Sequence, residues 1–397
     1  MTIEIPYYER KTAYGMERLR MPFSREAQEI KADELAKNVQ KIQRVYDVFD
    51  RLRELKATAQ LPIDFRKAPS LVKGLRMPEP NNKVVRLDMV DGQIVDINNK
   101  PAGLGLTLAA EERWQPTVAY PIGAMPIIAD LEKFANGFGS LAVVTEGRYP
   151  FSSDQKGLAT ALREGAGIKC EVIDPTRSDP ESLEGYDAVF CFSYLESYQI
   201  DPEWRKWIRG IDSNVLVSPV KALFWDNKAL MALPFLKLEL SNKELESQLL
   251  SLKEVFPKTY VFTLTERGEL QMFTALSDNK AFSQTVEMNS LPEEVFKSGK
   301  VYIKPLGESG GRGVVVKNFQ DKGGAFSSIS KYVTQGGIVV QKAVSPQATE
   351  SGFIKDGYFF DASTREFITI ERMQQPSSGE KIHGGSKTSL VPVYTRY

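Results

Sequence analysis

Four glycines fall within seven residues in Gly307-Glu308-Ser309-Gly310-Gly311-Arg312-Gly313, and Lys304-Pro305 stand just ahead of them. Glycines at this density let backbone N–H groups close over an anion with no side chain in the way. A lysine ending the preceding strand supplies positive charge to phosphate oxygens. A flexible hairpin tip would use the same residues, so the loop alone leaves both readings open. It is not a P-loop, because no G-K-[ST] precedes a helix. The one histidine, His383, removes whole classes of chemistry. No multi-histidine zinc site can be built, and a Ser/His or Cys/His pair could form only around that residue. In Ile382-His383-Gly384-Gly385 it reads first as a loop histidine, with a substrate contact as the alternative.

The chain that must position these groups has 397 residues, 42% hydrophobic and 26% charged, enough for two or three packed units of an ordinary globular protein. Lys plus Arg total 51 and Asp plus Glu total 51, so there is none of the basic excess that a nucleic-acid binder usually carries. Cys170 and Cys191 sit in apolar, strand-like surroundings that suit buried thiols in a reducing compartment. The first twenty residues mix charged and apolar residues and contain no apolar export segment. The most apolar stretch, 116–131, is broken by Pro116, Pro121 and Pro126 and is too short to span a bilayer. A soluble cytoplasmic protein is the expectation, with neither nucleic acid nor membrane as partner.

Leu35, Val39, Ile42, Tyr46, Phe49 and Leu52 recur at three- and four-residue spacing, which predicts an amphipathic helix over about 25–56. We read it as a bracing or oligomerisation element, with a homodimer as one outcome. Residues 84–89 and 93–97 read as two strands joined by a tight Asp91-Gly92 turn. From about residue 141, strands at 141–145, 169–173, 188–192 and 214–217 alternate with helices near 154–164 and 203–209, the pattern of a parallel sheet covered by helices. This Rossmann-like unit lacks a G-x-G-x-x-G turn, so a dinucleotide site there is not expected. Glu146, Gly147, Arg148, Ser193 and Tyr194 lie at its strand ends, where open α/β sheets bind ligands, and are candidate substrate contacts on topology alone. A helix from about 222 and a strand over 259–265 lead to the glycine-rich segment.

Lys304-Pro305 followed by that loop resembles the nucleotide-covering hairpin of the ATP-grasp ligases. Gly337-Ile338-Val339-Val340-Gln341-Lys342 resembles the hinge strand of that family, which implies that Gln341, Lys342, Ala343 and Val344 line the adenine. An ordinary ATP-grasp chain places its metal-binding strand after the hinge. Here the matching pattern lies upstream, as Arg86-Leu87-Asp88, Asp91-Gly92 and Asp96-Ile97-Asn98. That order is similar to the circularly permuted ATP-grasp proteins such as glutathionylspermidine synthase and eukaryotic glutathione synthetase. Asp88, Asp96 and Asn98 make a hard-oxygen set suited to Mg²⁺ bridging nucleotide phosphates, and on a strand Asp96 and Asn98 share a face. Asp96 stands where the family has Glu, one methylene shorter. Asp226-Asn227-Lys228-Ala229-Leu230 resembles the segment bringing a second ATP lysine, and Thr388-Ser389-Leu390-Val391-Pro392 resembles the closing strand. Each of these residues also has a plain reading as a turn, a solvated strand end or an exposed helix position.

The resemblance covers about 84–105 and 214–395. It implies an α/β (α+β) architecture: a helical N-terminal extension (1–80), metal-binding strands (81–120), an inserted Rossmann-like unit (121–220) and a nucleotide-binding unit (221–397). ATP and Mg²⁺ are the implied cofactors. Lys228, Lys304, Gly307, Ser309, Gly310, Gly311 and Gly313 would hold phosphates, and Arg86, Lys304, Arg312 and Arg372 would serve the reacting groups. The implied activity is ATP-dependent joining of a small-molecule or carrier-bound carboxylate to an amine through an acyl phosphate, chemistry that needs positioning and charge more than a histidine. A kinase using the same nucleotide site and a non-catalytic nucleotide-binding regulator are the alternatives.

Overall fold

The tight turn at Asp91-Gly92 forms in the computed structural model. Both residues take left-handed backbone, φ 46° and 69°, as a two-residue hairpin with right-handed strand twist requires. The structure describes residues 9–12, 15–18, 28–54, 84–98, 103–105, 107, 139–145, 152–165, 167–191, 201–210, 216–218, 228–265, 267–277, 281–286, 299–306, 314–318, 329, 333, 337–346, 348–350, 352–361, 364–376, 388–391 and 393–394.

In chain order, the short hairpin β1 (Glu9–Thr12) and β2 (Gly15–Arg18) and the two-residue β3 (Gln28–Glu29) precede helix α1 (Ala32–Glu54). The hairpin is β4 (Val84–Val90) and β5 (Gln93–Asn98). Next come β6 (Ser140–Val144), α2 (Ser152–Gly165), β7 (Lys169–Ile173), β8 (Ala188–Cys191), α3 (Pro202–Gly210) and β9 (Leu216–Ser218). A 3₁₀ helix (Lys228–Phe235) leads to β10 (Lys237–Glu239), α4 (Lys243–Ser251), β11 (Thr259–Leu264), β12 (Leu270–Ser277) and β13 (Ala281–Thr285). The chain continues through β14 (Lys300–Pro305), β15 (Val315–Asn318), β16 (Ile338–Lys342) and β17 (Ala348–Thr349). It ends with β18 (Gly352–Asp361), β19 (Phe367–Gln375), β20 (Ser389–Val391) and β21 (Val393–Tyr394).

These strands build a mixed α/β molecule around three main sheets. A four-stranded, all-parallel sheet runs β7-β6-β8-β9, in line with the expected strand-helix alternation. A seven-stranded sheet contains β10-β12-β11-β16-β14-β15, with β13 also on β12. An antiparallel sheet runs β20-β19-β18-β4-β5, with β17 on β18, so the upstream hairpin completes a sheet whose other long strands lie some 270 residues downstream.

The spacing read in α1 is a buried face. Ile42, Tyr46, Phe49 and Leu52 are almost wholly removed from water, each large apolar side chain contributing roughly 1.5–3 kcal/mol. This face packs on Leu87, Met89, Ile94, Tyr358, Phe360 and Ile370 of the antiparallel sheet, and Phe49 stacks on Phe256 at 5.9 Å. The helix is therefore part of the largest core. It starts at Ala32 and not near residue 25, because the backbone before it pairs elsewhere: Gln28 and Glu29 lie parallel to Val393 and Tyr394, and Ile30 N–H donates to Tyr394. The helix expected from about 222 is described as a 3₁₀ segment, with Lys228–Pro234 all buried. Among the described residues no helix is long and apolar enough to cross a membrane.

One irregularity positions the candidate site. Asp88 pairs with Asp96 and Met89 with Ile94, so β5 carries one extra residue, Val95, between them. This bulge breaks strict alternation. Ile94 and Ile97 both turn toward the α1 core while Asp96 and Asn98 share the opposite face with their cross-strand partners Asp88 and Arg86.

Candidate functional site

The face of the antiparallel sheet turned away from α1 is polar. Asp96, Asp88, Gly357 and Glu371 stand in register across β5, β4, β18 and β19. Arg86 crosses this row. Its Nε lies 2.7 Å from Asp88 Oδ1, and its far end donates to Glu371 Oε2 at 2.7 Å. The guanidinium also lies over the Phe359 ring at 5.8 Å. Lys355 Nζ donates to the other Asp88 oxygen at 2.8 Å. Burial would raise the Asp88 carboxyl, but Arg86 and Lys355 outweigh it and hold Asp88 at about 2. For Glu371 the balance reverses. Burial pushes it up to about 7, Arg86 and Lys355 only partly oppose this, and Asp88 and Asp154 add to the rise. The 2.7 Å contact with Arg86 favours the carboxylate while burial favours the acid. Burial dominates because Glu371 is 1% exposed and its Oε1 has no donor.

Two lysines approach the row from the seven-stranded sheet and the 3₁₀ helix, each 6% exposed. Lys228 Nζ lies 3.3 Å from Asp96 Oδ1, close enough for an ion pair but not aligned as a hydrogen bond. Lys304, on β14, donates to the Val95 carbonyl at 2.6 Å and to Gln341 Oε1 at 2.7 Å. Gln341 in turn donates to Thr259 Oγ at 3.2 Å. Burial pushes the Lys304 amine down to about 8; Asp96 opposes this and Lys228 reinforces it. Arg86, Lys228, Lys304 and Lys355 thus face Asp88, Asp96, Glu371 and, within electrostatic reach of Glu371, Asp154, so cations and carboxylates are gathered in one cluster of a chain of zero formal charge.

Three buried polar atoms of this cluster have no hydrogen-bond partner: Asp96 Oδ1, Asn98 Nδ2 and Glu371 Oε1. Which end of the Asn98 amide is oxygen is set by its surroundings, and turning it presents an oxygen at the orphaned position. Asp96 and Asn98 therefore fit a divalent cation that takes its remaining oxygens from phosphates and water, as Mg²⁺ does. Asp88 is committed to Arg86 and Lys355. Among the described residues no group of three or more His, Cys, Asp or Glu side chains could hold a metal.

Of the sequence-predicted residues, Arg86, Asp88, Asp96, Asn98, Lys228, Lys304 and Gln341 come together. Arg372 does not. It follows Glu371 directly and so points to the other face of β19, where it grips Asp356 with two contacts of 2.8 Å beside Gln28. Lys342 is exposed and Ala343 N–H donates to Lys300 O at 2.9 Å; Val344 is half-buried. Gly307, Ser309, Gly310, Gly311, Arg312, Gly313 and His383 lie outside the described residues, as do Glu146, Gly147, Arg148, Ser193 and Tyr194. Sequence reasoning missed Lys355 and Glu371. The signal for both was a pair of adjacent opposite charges inside an otherwise apolar strand, Phe353-Ile354-Lys355-Asp356 and Ile368-Thr369-Ile370-Glu371-Arg372, of which alternation sends one member to each face.

No family model matches the sequence, and neither does any curated protein. Among solved structures, the chain is similar to a candidate gamma-glutamylcysteine synthetase from Methylobacillus flagellatus KT, at 12% identity and a TM-score of 0.49, over 88% of this chain and 86% of that one. It is also similar to a D-cycloserine synthetase, at 16% identity and a TM-score of 0.37, over 64% and 72% of the two chains.

Proposed function

We propose that the protein is an ATP-dependent ligase that joins a carboxylate to an amine through an acyl phosphate, with the permuted ATP-grasp order and Mg²⁺ as the metal. The observation that carries this reading is the approach of Lys228 and Lys304, from segments far apart in the chain, to the hairpin that carries Arg86, Asp96 and Asn98.

In this reading Lys228 and Lys304 exchange their present partners, Asp96, the Val95 carbonyl and Gln341, for phosphate oxygens. Buried cations act strongly because little solvent screens them. Asp96 and Asn98 would hold the metal, which would neutralise charge on the phosphates. Arg86, fixed between Asp88 and Glu371, steadies the transferred phosphoryl group. A carboxylate oxygen of the substrate forms a bond to the terminal phosphorus as the bond to ADP breaks. The amine nitrogen then bonds to the acyl carbon, phosphate leaves, and the nitrogen gives up its proton. The acid and amine are small molecules, or one is carrier-bound.

Hydroxylamine trapping tests the proposal. Enzyme, Mg-ATP, a panel of carboxylic acids and hydroxylamine should give a hydroxamate and ADP for the true acid. A stable phosphorylated product without hydroxamate means a kinase, and ADP at background while ATP binds means a non-catalytic nucleotide binder.

A further inference from the structure

Arg86 can reach Glu371 only because nothing stands between them. Gly357 holds the intervening place in the four-strand row, paired with Asp88 on one side and Glu371 on the other. A Cβ built there would lie 2.7 Å from Arg86 Cδ, 3.1 Å from Nε and 3.3 Å from Cγ. The 2.7 Å contact requires a displacement and the other two are tight, and the arginine cannot easily swing away. Its Nε is held by Asp88, its far end by Glu371, and its guanidinium carbon lies 5.8 Å from the centre of the Phe359 ring. Gly357 is also not among the positive-φ glycines, so its backbone does not demand glycine. Strand interiors disfavour glycine for its lost entropy, which leaves the path of Arg86 as the reason for it.

We propose that Gly357 is a positioning residue: its missing side chain is the channel through which Arg86 crosses β18 to bridge Asp88 and Glu371, and this fixes the guanidinium for phosphoryl transfer. The functional half of this inference rests on the ligase reading; the structural half does not.

A double-mutant cycle separates the two. Wild type, Gly357→Ala, Arg86→Ala and the double variant are compared for melting temperature, ATP binding and, where the acid is known, kcat and KM. Alone, Gly357→Ala should lower the melting temperature by several degrees and kcat tenfold or more, leaving ATP affinity within about twofold. In the Arg86→Ala background the same change should cost nothing in either readout, because the obstructed side chain is gone. If Arg86→Ala leaves Glu371 too poorly compensated to purify, Arg86→Ala/Glu371→Gln serves as the background. A Gly357→Ala penalty of equal size in both backgrounds, or no penalty in wild type, overturns the proposal. A kcat unchanged beside a melting-temperature cycle that behaves as stated overturns the catalytic role. Absence of any ATP-dependent turnover in wild type counts against the ligase reading, while the thermal cycle still decides the place of Gly357.

Discussion

The ammonium of Lys304 donates to the main-chain carbonyl of Val95, 2.6 Å away, tying the seven-stranded sheet to the hairpin that carries Asp96 and Asn98. Val95 is the extra residue of the β5 bulge, standing between the pairs Asp88–Asp96 and Met89–Ile94 with no residue opposite it on β4. Bulges re-aim groups next to functional sites, and here one supplies an acceptor that holds a buried lysine within reach of two carboxylates.

Burial places the Lys304 amine at about 8, so its charge in the free protein is lost over an accessible pH range. Affinity for an ATP analogue should weaken above pH 8, approaching tenfold per pH unit if one proton is required. Lys304→Arg, which stays charged, should show no inflection there. Isothermal titration between pH 6.5 and 9.5 checks this; a flat profile in wild type would count against phosphate binding by Lys304.

Gln341 lies in the middle of a buried chain of hydrogen bonds, accepting from Lys304 and donating to Thr259. Gln341→Ala leaves the lysine with one acceptor fewer and the hydroxyl with one donor fewer, a loss of about 1–3 kcal/mol. Urea unfolding should show a lower midpoint at unchanged slope. A midpoint equal to wild type would mean the side chain is not so engaged.

Glu371 gives a pH-dependent stability. Its folded-state value of about 7 stands above the ordinary 4.5, so between these values the folded chain holds the extra proton. Its contribution is full below pH 4.5 and is lost as pH rises toward 7. Glu371→Gln removes this dependence. The difference in melting temperature, variant minus wild type, should shift in the variant's favour from pH 5 to pH 8; a difference that is constant, or moves the other way, contradicts the burial argument.

Much of this arrangement could be read in one dimension. Asp91-Gly92 between apolar runs names its own turn, the α1 face follows from spacing, and the parallel strands at 140–144 and 188–191 stand out as apolar runs. What sequence could not reach is set by long-range register. Whether Glu371 or Arg372 faces Arg86 is a question of parity on β19, decided by pairing with β18 and through it with β4. The family resemblance implied the arginine, and the sheet turns it to the α1 side. Lys355 meets Asp88 across 267 positions of sequence, a contact no spacing rule anticipates. The Val95 bulge likewise lies hidden, because Ile94, Asp96 and Asn98 would share a face in a regular strand.

In the proposed ligase, Lys304 from one sheet and Asp96 from the other serve a single Mg-nucleotide site. Binding of a non-hydrolysable ATP analogue, with and without Mg²⁺, to wild type, Lys304→Ala and Asp96→Ala tests it most directly, each variant first shown by circular dichroism to be folded. Lys304→Ala should lose at least tenfold in affinity, and Asp96→Ala should lose the gain Mg²⁺ confers on wild type. Equal affinity and equal Mg²⁺ dependence in all three proteins would contradict the shared site.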